Sequence, residues 1–417
     1  MKITRKRRKK EYTISLPYSK SISNRLLVIR SLANSKEEIL NLSDSDDTRI
    51  LENAIQYIES ERDCPFGTGP IDLNCRNAGT TARFLTALLS IEDDEWIIDA
   101  NDRMNERPML PLINALRSLG ADIKTKYEKT IFPLAIKGKQ LSANKQIIFE
   151  DNLTSQIISA LILLSPRIKG IMKLVLPQNQ VSSPYINMTI ALARQFGAVI
   201  EEGDNCIICS ESQYKFHKTE VEIDYSALCF VYCFVCVGKR ENVRANKLKT
   251  STLQGDSIAG ELFRHLGLEI SEDEDFSILS YNEELAKQNK ELFFDLKDTP
   301  DIFPALATAA YVSGKETVIK NLASLRVKES NRLESMMNEL NKMGERCFIE
   351  ENDFHIKAGR FKAKSNLSFN CYDDHRIAMA LSSIALVCKE IEIDNHYCVS
   401  KSWKSFWKEM SDFIVLE

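Results

Sequence analysis

Nine short stretches of this chain gather cations, hydroxyls and amides at the openings of apolar helical segments. LPYSKSISNR (16–25) places Lys20, Ser21 and Arg25 among Ile22, Leu26 and Ile29. Ser19 or Ser21 there is an expected N-cap, and Ser21 and Arg25, four apart, share a helix face. NAGTTARF (77–84) sets Asn77, Gly79 and Thr80 before an apolar run with Arg83 in its first turn. Gly79 would let backbone amides come close to a ligand. NERPM (105–109) carries Arg107, TSQ (154–156) carries Thr154, Ser155 and Gln156, and SSPY (182–185) carries Ser182, Ser183 and Tyr185. The habit continues in DTPD (298–301), LRVKESNRL (325–333), DDHR (373–376) and SKSW (400–403). These contribute Asp298 and Asp301; Arg326, Lys328, Glu329 and Arg332; Asp374, His375 and Arg376; and Lys401. Any one of them alone is explained by a cap or a surface ion pair. Together they describe anion chemistry, because a helix N-terminus already favours negative charge. Arginine adds planar, bidentate clamping of carboxylate or phosphate. Asp301 and Glu329, two acids amid cations, read as proton-transfer groups.

The elements that must position these residues repeat. ALRSLGADI, LARQFGAVI, LFRHLGLEI and ELNKMGERCFI each end a helix in an apolar residue and glycine and run into a strand. Their glycines, Gly120, Gly197, Gly267 and Gly344, recur at intervals of roughly 75 residues and suit the left-handed position just past a helix. LENAIQYIES, ending near residue 60, and WKSFWKEMSDF, ending near 413, read as weaker copies. Six α/β units then form two domains of three, and equivalent orientation would aim their helix starts at a shared anion-binding cleft between the domains. The polar stretch 210–222 is the expected crossover.

Composition narrows the class. The 417 residues suit two domains, 44% are hydrophobic and 27% charged, and the net charge is −4. A global nucleic-acid binder is not expected from that balance. The run RKRRKK at 5–10 is the local exception, read as a solvated strand or arm. No apolar run reaches the roughly 20 residues of a membrane span, and no apolar segment follows the basic N-terminus to make a secretory signal. Eleven cysteines include the pairs Cys206/Cys209 and Cys233/Cys236, but both lie in apolar runs without nearby histidine. The expectation is a cytoplasmic protein with reduced thiols, no metal and no cofactor.

At these residues the sequence resembles the 5-enolpyruvylshikimate-3-phosphate synthase family, with all nine stretches in order from end to end. The resemblance implies an α/β fold of two globular domains, each of three repeated units, with the active site in the interdomain cleft. The expected division is 1–14 with 223–417, and 15–222. It implies transfer of the enolpyruvyl group of phosphoenolpyruvate to the 5-hydroxyl of shikimate 3-phosphate, by a monomer with no nucleic-acid or membrane partner. Ser21 and Arg25 would hold the shikimate carboxylate. Thr154, Ser155, Ser182 and Lys328 would hold the 3-phosphate with Tyr185 at its border, and Gln156 and Asp301 would contact the ring region. Lys20, Arg107, Arg332, Arg376 and Lys401 would clamp phosphoenolpyruvate beside Asn77, Gly79 and Thr80, with Gln156 near and His375 in support. Glu329 is assigned as acid at the methylene carbon and Asp301 as base at the hydroxyl, with Lys20 as a competing base.

This chain departs from the family pattern at Tyr18, often glycine, and at Asp224–Ala227, usually Asp, a small residue and two serines. Ser324 stands where asparagine is common, and Lys404 where proline is. Two alternatives set the comparison. The transferase acting on UDP-N-acetylglucosamine uses a cysteine in the loop corresponding to Arg107, and NDRMNERPM has none. A non-catalytic anion or nucleic-acid binder, like RNA 3′-phosphate cyclase in its repeat, would lean on RKRRKK but leave Asp301 and Glu329 without a role.

Overall fold

A computed structural model describes residues 1–63, 70–127, 130–143, 146–150, 154–178, 180–249, 251–362, 364 and 367–417. The chain divides into a contiguous unit, Ser19–Glu222, and a discontinuous unit, Met1–Tyr18 with Ile223–Glu417. Residues 15–18, expected in the contiguous unit, belong to the other one. The Leu16 amide donates to Asn246 Oδ1 at 2.8 Å, Asp224 N–H donates to the Pro17 carbonyl at 2.8 Å, and Tyr18 bridges to Ile223. These bonds tie the segment to its own unit.

Each unit is built around three buried helices. In the contiguous unit these are α1 (Lys20–Leu32), α2 (Gly79–Leu89) and α3 (Ser155–Leu164); in the discontinuous unit, α4 (Tyr225–Gly238), α5 (Phe303–Ser313) and α6 (His375–Ser382). Within each trio the helices contact one another. Their sequences explain the placement. YSALCFVYCFVCVG and FPALATAAYVS are apolar around the whole circumference, so no face prefers water. Burying a side chain such as Phe234 or Phe303 contributes about 1.5–3 kcal/mol. Helices with a polar face, such as Asp46–Asp63 and Arg332–Asn341, take other positions.

The strands show how the repeat is made. Among the described residues five sheets share one order: a parallel pair, then an antiparallel strand, then an antiparallel outer strand, which in four of them closes a hairpin. In the sheet Ile71–Asn74, Glu95–Asp99, Leu134–Lys137, Asp122–Thr125 the first two run parallel and the rest antiparallel. The four expected glycines all have positive φ, from +99° to +152°. Each precedes such an outer strand: Asp122–Thr125, Val199–Gly203, Leu268–Glu272 and Cys347–Glu350. Among the described residues the sixth copy is reduced to the parallel pair Ile39–Leu40 and Thr219–Glu220. The weak copy at 413 has a full sheet, because the N-terminal strand Lys2–Arg5 inserts between Glu390–Ile393 and Ile414–Leu416. Among the described residues, no helix is long and apolar enough to cross a membrane.

Candidate active site

The contiguous unit collects its polar residues where its three buried helices begin. Ser19, not Ser21, caps α1, accepting from the Ile22 amide at 3.4 Å. Thr154 caps α3 in the same way, accepting from Gln156 N–H at 3.4 Å. Arg83, in the first turn of α2, donates from Nη1 to the Gly79 carbonyl at 3.0 Å and to Gln156 Oε1 at 2.8 Å. Its Nε reaches the Pro108 carbonyl at 3.2 Å. One buried guanidinium thus ties together the Asn77–Thr80 turn, the NERP turn and the TSQ turn. Sequence reasoning placed Arg83 in the first turn but did not assign it this role.

Arg107 lies against Gly79, 4% exposed, with Nη1 at 3.5 Å from the Asn77 carbonyl. A Cβ on Gly79 would stand 2.6 Å from Arg107 Nη2, so only glycine lets the guanidinium rest on the turn. Lys20 pairs with Asp47 at 3.0 Å, both largely shielded from solvent. Asp47, in the first turn of Asp46–Asp63, was not anticipated.

Arg25 is held by four hydrogen bonds to the protein. Its Nε donates to Thr189 Oγ1 at 2.7 Å, its Nη1 to the Ser21 carbonyl at 2.8 Å, and its Nη2 to Ser159 Oγ and the Tyr185 carbonyl, both at 3.1 Å. Those bonds use four of five N–H donors. Burial lowers its pKa to about 10. Arg25 is thus braced against the Ser21 and Tyr185 carbonyls, and one Nη1 hydrogen is not used by these four bonds. Ser182 takes a left-handed conformation, φ +58°, immediately before Ser183–Gln195.

The discontinuous unit arranges its residues differently. Arg332, 1% exposed, is the centre. Its Nε donates to Asp374 Oδ2, its Nη1 to Asp301 Oδ1 and its Nη2 to Glu329 Oε2, each at 2.7 Å. Asp374 also caps α6, accepting from Arg376 N–H at 3.0 Å. Asp301 is further touched by Lys328 Nζ at 3.4 Å and Arg376 Nη2 at 3.2 Å. Burial, the largest influence, pushes the Asp301 carboxyl up, but Arg376, Lys328 and Arg332 together hold it well below the usual carboxylate range. For Arg332 burial acts to lower the pKa, and Asp374, Glu329 and Asp301 outweigh it, so the guanidinium stays charged.

His375 is buried with Nδ1 3.8 Å from Asp374 Oδ1. Lys401 ends the 3-10 segment His396–Lys401, which packs on α6. The Ser324 hydroxyl oxygen is shielded and makes no hydrogen bond to a described residue. Among the residues that depart from the family pattern, Tyr225 is buried with its hydroxyl donating to the Lys249 carbonyl at 3.0 Å, while Asp224 caps α4. One acid was missed by the sequence reading. Asp256, 2% exposed, accepts from Ser226 Oγ, and burial, reinforced by Asp301, raises its carboxyl to about 6. Its stretch, LQGDSIAG, reads only as a turn, so no local signal marks it.

Comparison with known proteins follows the same line. The sequence model described as EPSP synthase (3-phosphoshikimate 1-carboxyvinyltransferase) matches residues 4–410. A 3-phosphoshikimate 1-carboxyvinyltransferase of Bacteroides fragilis (strain YCH46) is 34% identical over 401 residues, covering 95% of this chain and 94% of that one. The same enzyme of Haemophilus influenzae (strain PittEE) is 33% identical, covering 96% and 95%. Among solved structures, an EPSP synthase from Acinetobacter baumannii superposes with a TM-score of 0.75 at 21% identity, covering 99% of both chains, a likeness of fold.

Proposed function

The chain belongs to the EPSP synthase family, and from that premise we propose that it transfers the enolpyruvyl group of phosphoenolpyruvate to the 5-hydroxyl of shikimate 3-phosphate, releasing phosphate. The observation that carries this reading is the pair Asp301 and Glu329 on one buried guanidinium, Arg332. Anion storage needs no carboxylates among its cations, whereas this reaction needs a proton donor and a proton acceptor.

Glu329 gives a proton to the methylene carbon of phosphoenolpyruvate, and the neighbouring carbon takes cationic character. The 5-hydroxyl oxygen bonds to that carbon and loses its proton to Asp301, or to Lys20. The tetrahedral adduct then expels phosphate and returns a methyl proton to Glu329, restoring the double bond. Asp301 as found has little proton affinity, because three cations hold it. Substrate anions that draw Lys328 and Arg376 onto themselves would raise that affinity, so binding would itself arm the base. Arg332, Arg376, Lys401 and Arg107 would hold the donor phosphate and carboxylate, and His375 would support them. Ser21 and Arg25 would hold the shikimate carboxylate and Thr154, Ser155, Ser182 and Lys328 the 3-phosphate, with Gln156 and Tyr185 beside it. Asn77, Gly79 and Thr80 would border the donor.

We place the enzyme in the cytoplasm as a monomer. The ten described cysteines are free thiols, which supports a reducing compartment. The test is phosphate release from phosphoenolpyruvate with and without shikimate 3-phosphate. Release should require both substrates, and Glu329→Gln should cut it about 10²–10⁴-fold while leaving shikimate 3-phosphate binding within a few-fold. Release without the second substrate, or an undiminished rate in the variant, would reject the reading.

A further inference from the structure

The run RKRRKK has no part in the site described above, and the structure gives four of its six residues a place. Lys9 pairs with Asp412, and Lys6 donates to the Ser411 carbonyl at 2.9 Å. Arg5 and Arg8 instead line a cavity of about 770 Å³ in the discontinuous unit, together with Lys239, Lys287, Lys290 and Lys315. Among the described lining residues Glu283 is the one acid, so the walls carry five charges in excess. A chain of net charge −4 has concentrated cations here.

Ordinary structural duties account for part of this. The cavity sits where α4 and α5 end and where the 3-10 turn Ser383–Leu386 follows α6. Arg8 Nη2 donates to the Gly238 and Lys239 carbonyls, both at 2.9 Å, Arg5 reaches the Leu386 carbonyl at 3.5 Å, and Lys315 donates to the His265 carbonyl at 3.0 Å. Helix C-termini attract cations, but each offers only about half a negative charge. Three such ends offset about one and a half of five charges. Glu283, already counted against the six cations, pairs with Lys287 at 3.0 Å.

Burial holds Lys315 below an ordinary lysine. Behind Gly238 lies Arg240, 2% exposed, whose Nε makes no hydrogen bond to a described residue. Burial lowers its pKa, and Arg8 and Arg5 add to the effect. The floor is apolar, from Leu266, Val312 and Leu386, and the Tyr281 ring lies 5.2 Å from Lys239 Nζ. A concave space of this size, apolar below and cationic at the rim, fits a small molecule more closely than a polymer lying across a surface.

We propose that this cavity is a second anion site, taking a phosphorylated small molecule of nucleotide size whose phosphates meet Lys287, Lys290, Lys315 and Arg8 and whose body rests on the apolar floor. It is distinct from the candidate active site, since the two occupy opposite ends of the same helices. The 14 residues of α4 alone separate them by about 20 Å.

Calorimetric titration of the full chain at fixed ionic strength tests this with ATP, inorganic triphosphate, adenosine and a single-stranded RNA as probes. ATP should bind one per chain, triphosphate more weakly and adenosine not measurably. Lys287 and Lys290 are exposed, so the double variant K287E/K290E should fold normally, with an unchanged melting curve. It should weaken ATP about tenfold or more and leave phosphate release at saturating substrates unchanged. ATP affinity equal in the two proteins would place the anion elsewhere and overturn the proposal. So would the absence of ATP binding, or RNA binding that packs many chains per strand with ATP unable to compete.

Discussion

The two units set cations at the starts of their buried helices by different means. In the contiguous unit, Arg25 and Arg83 are held by hydroxyls, an amide oxygen and backbone carbonyls, while Lys20 pairs with an acid, Asp47. In the discontinuous unit, Arg332, Arg376 and Lys328 are held by Asp301, Glu329 and Asp374. Neutral acceptors fix a cation without altering its charge or theirs. Carboxylates exchange partners and protons when another anion arrives. The contiguous unit is thus equipped to orient an anion, and the discontinuous unit to answer one with chemistry.

Removing each kind of centre should separate the two modes. Arg332→Ala strands three carboxylates and should cost roughly 3–5 kcal/mol of stability, read from denaturant unfolding, and at least about 10³ in turnover. A loss no larger than that of Arg25→Gln, about 1–3 kcal/mol for unsatisfied neutral acceptors, would erase the distinction. Gly79→Ala probes the orienting mode. Its Cβ displaces Arg107, so KM for phosphoenolpyruvate should rise about 10–100-fold with the melting temperature little changed. A fall in turnover at unchanged KM would mean that Arg107 acts in chemistry as well.

The smallest effect concerns Asp256. Its carboxyl, raised to about 6 by burial and then by Asp301, has a higher pKa folded than unfolded, so its ionised form costs stability. That cost is absent below pH 4 and complete above pH 6. Asp256→Asn should therefore stabilise the protein by roughly 1–3 kcal/mol at pH 8, with the gain gone at pH 4. A pH-independent effect would show that Asp256 acts through its hydrogen bond with Ser226 alone.

Much of this was legible in the sequence because it is local. Glycines past helix ends and apolar runs after polar starts are consequences of backbone sterics and helix periodicity, and the structure has them where the spacing puts them. The bracing of Arg25 by Thr189 and Ser159 was not legible, because its partners lie far along the chain and are unremarkable as types. The same holds for Asp47 beside Lys20 and Ser226 beside Asp256. A residue list marks where charge is concentrated; only the fold says whether a guanidinium still has hydrogens to give. The sixth copy was read from its helix near residue 60, but its reduced sheet was not, since a two-residue strand leaves no alternation to detect.

The strand Lys2–Arg5 has a consequence for synthesis. It is made before both of its neighbours, Glu390–Ile393 and Ile414–Leu416, which follow much later in the sequence. The contiguous unit has all its residues in hand once Glu222 has emerged and can fold while translation proceeds. The discontinuous unit must keep a basic, strand-forming arm unpaired until residues 390–416 have been made. The charges of RKRRKK would then serve that waiting segment as well, by keeping an open strand edge soluble and discouraging it from pairing with a neighbouring nascent chain.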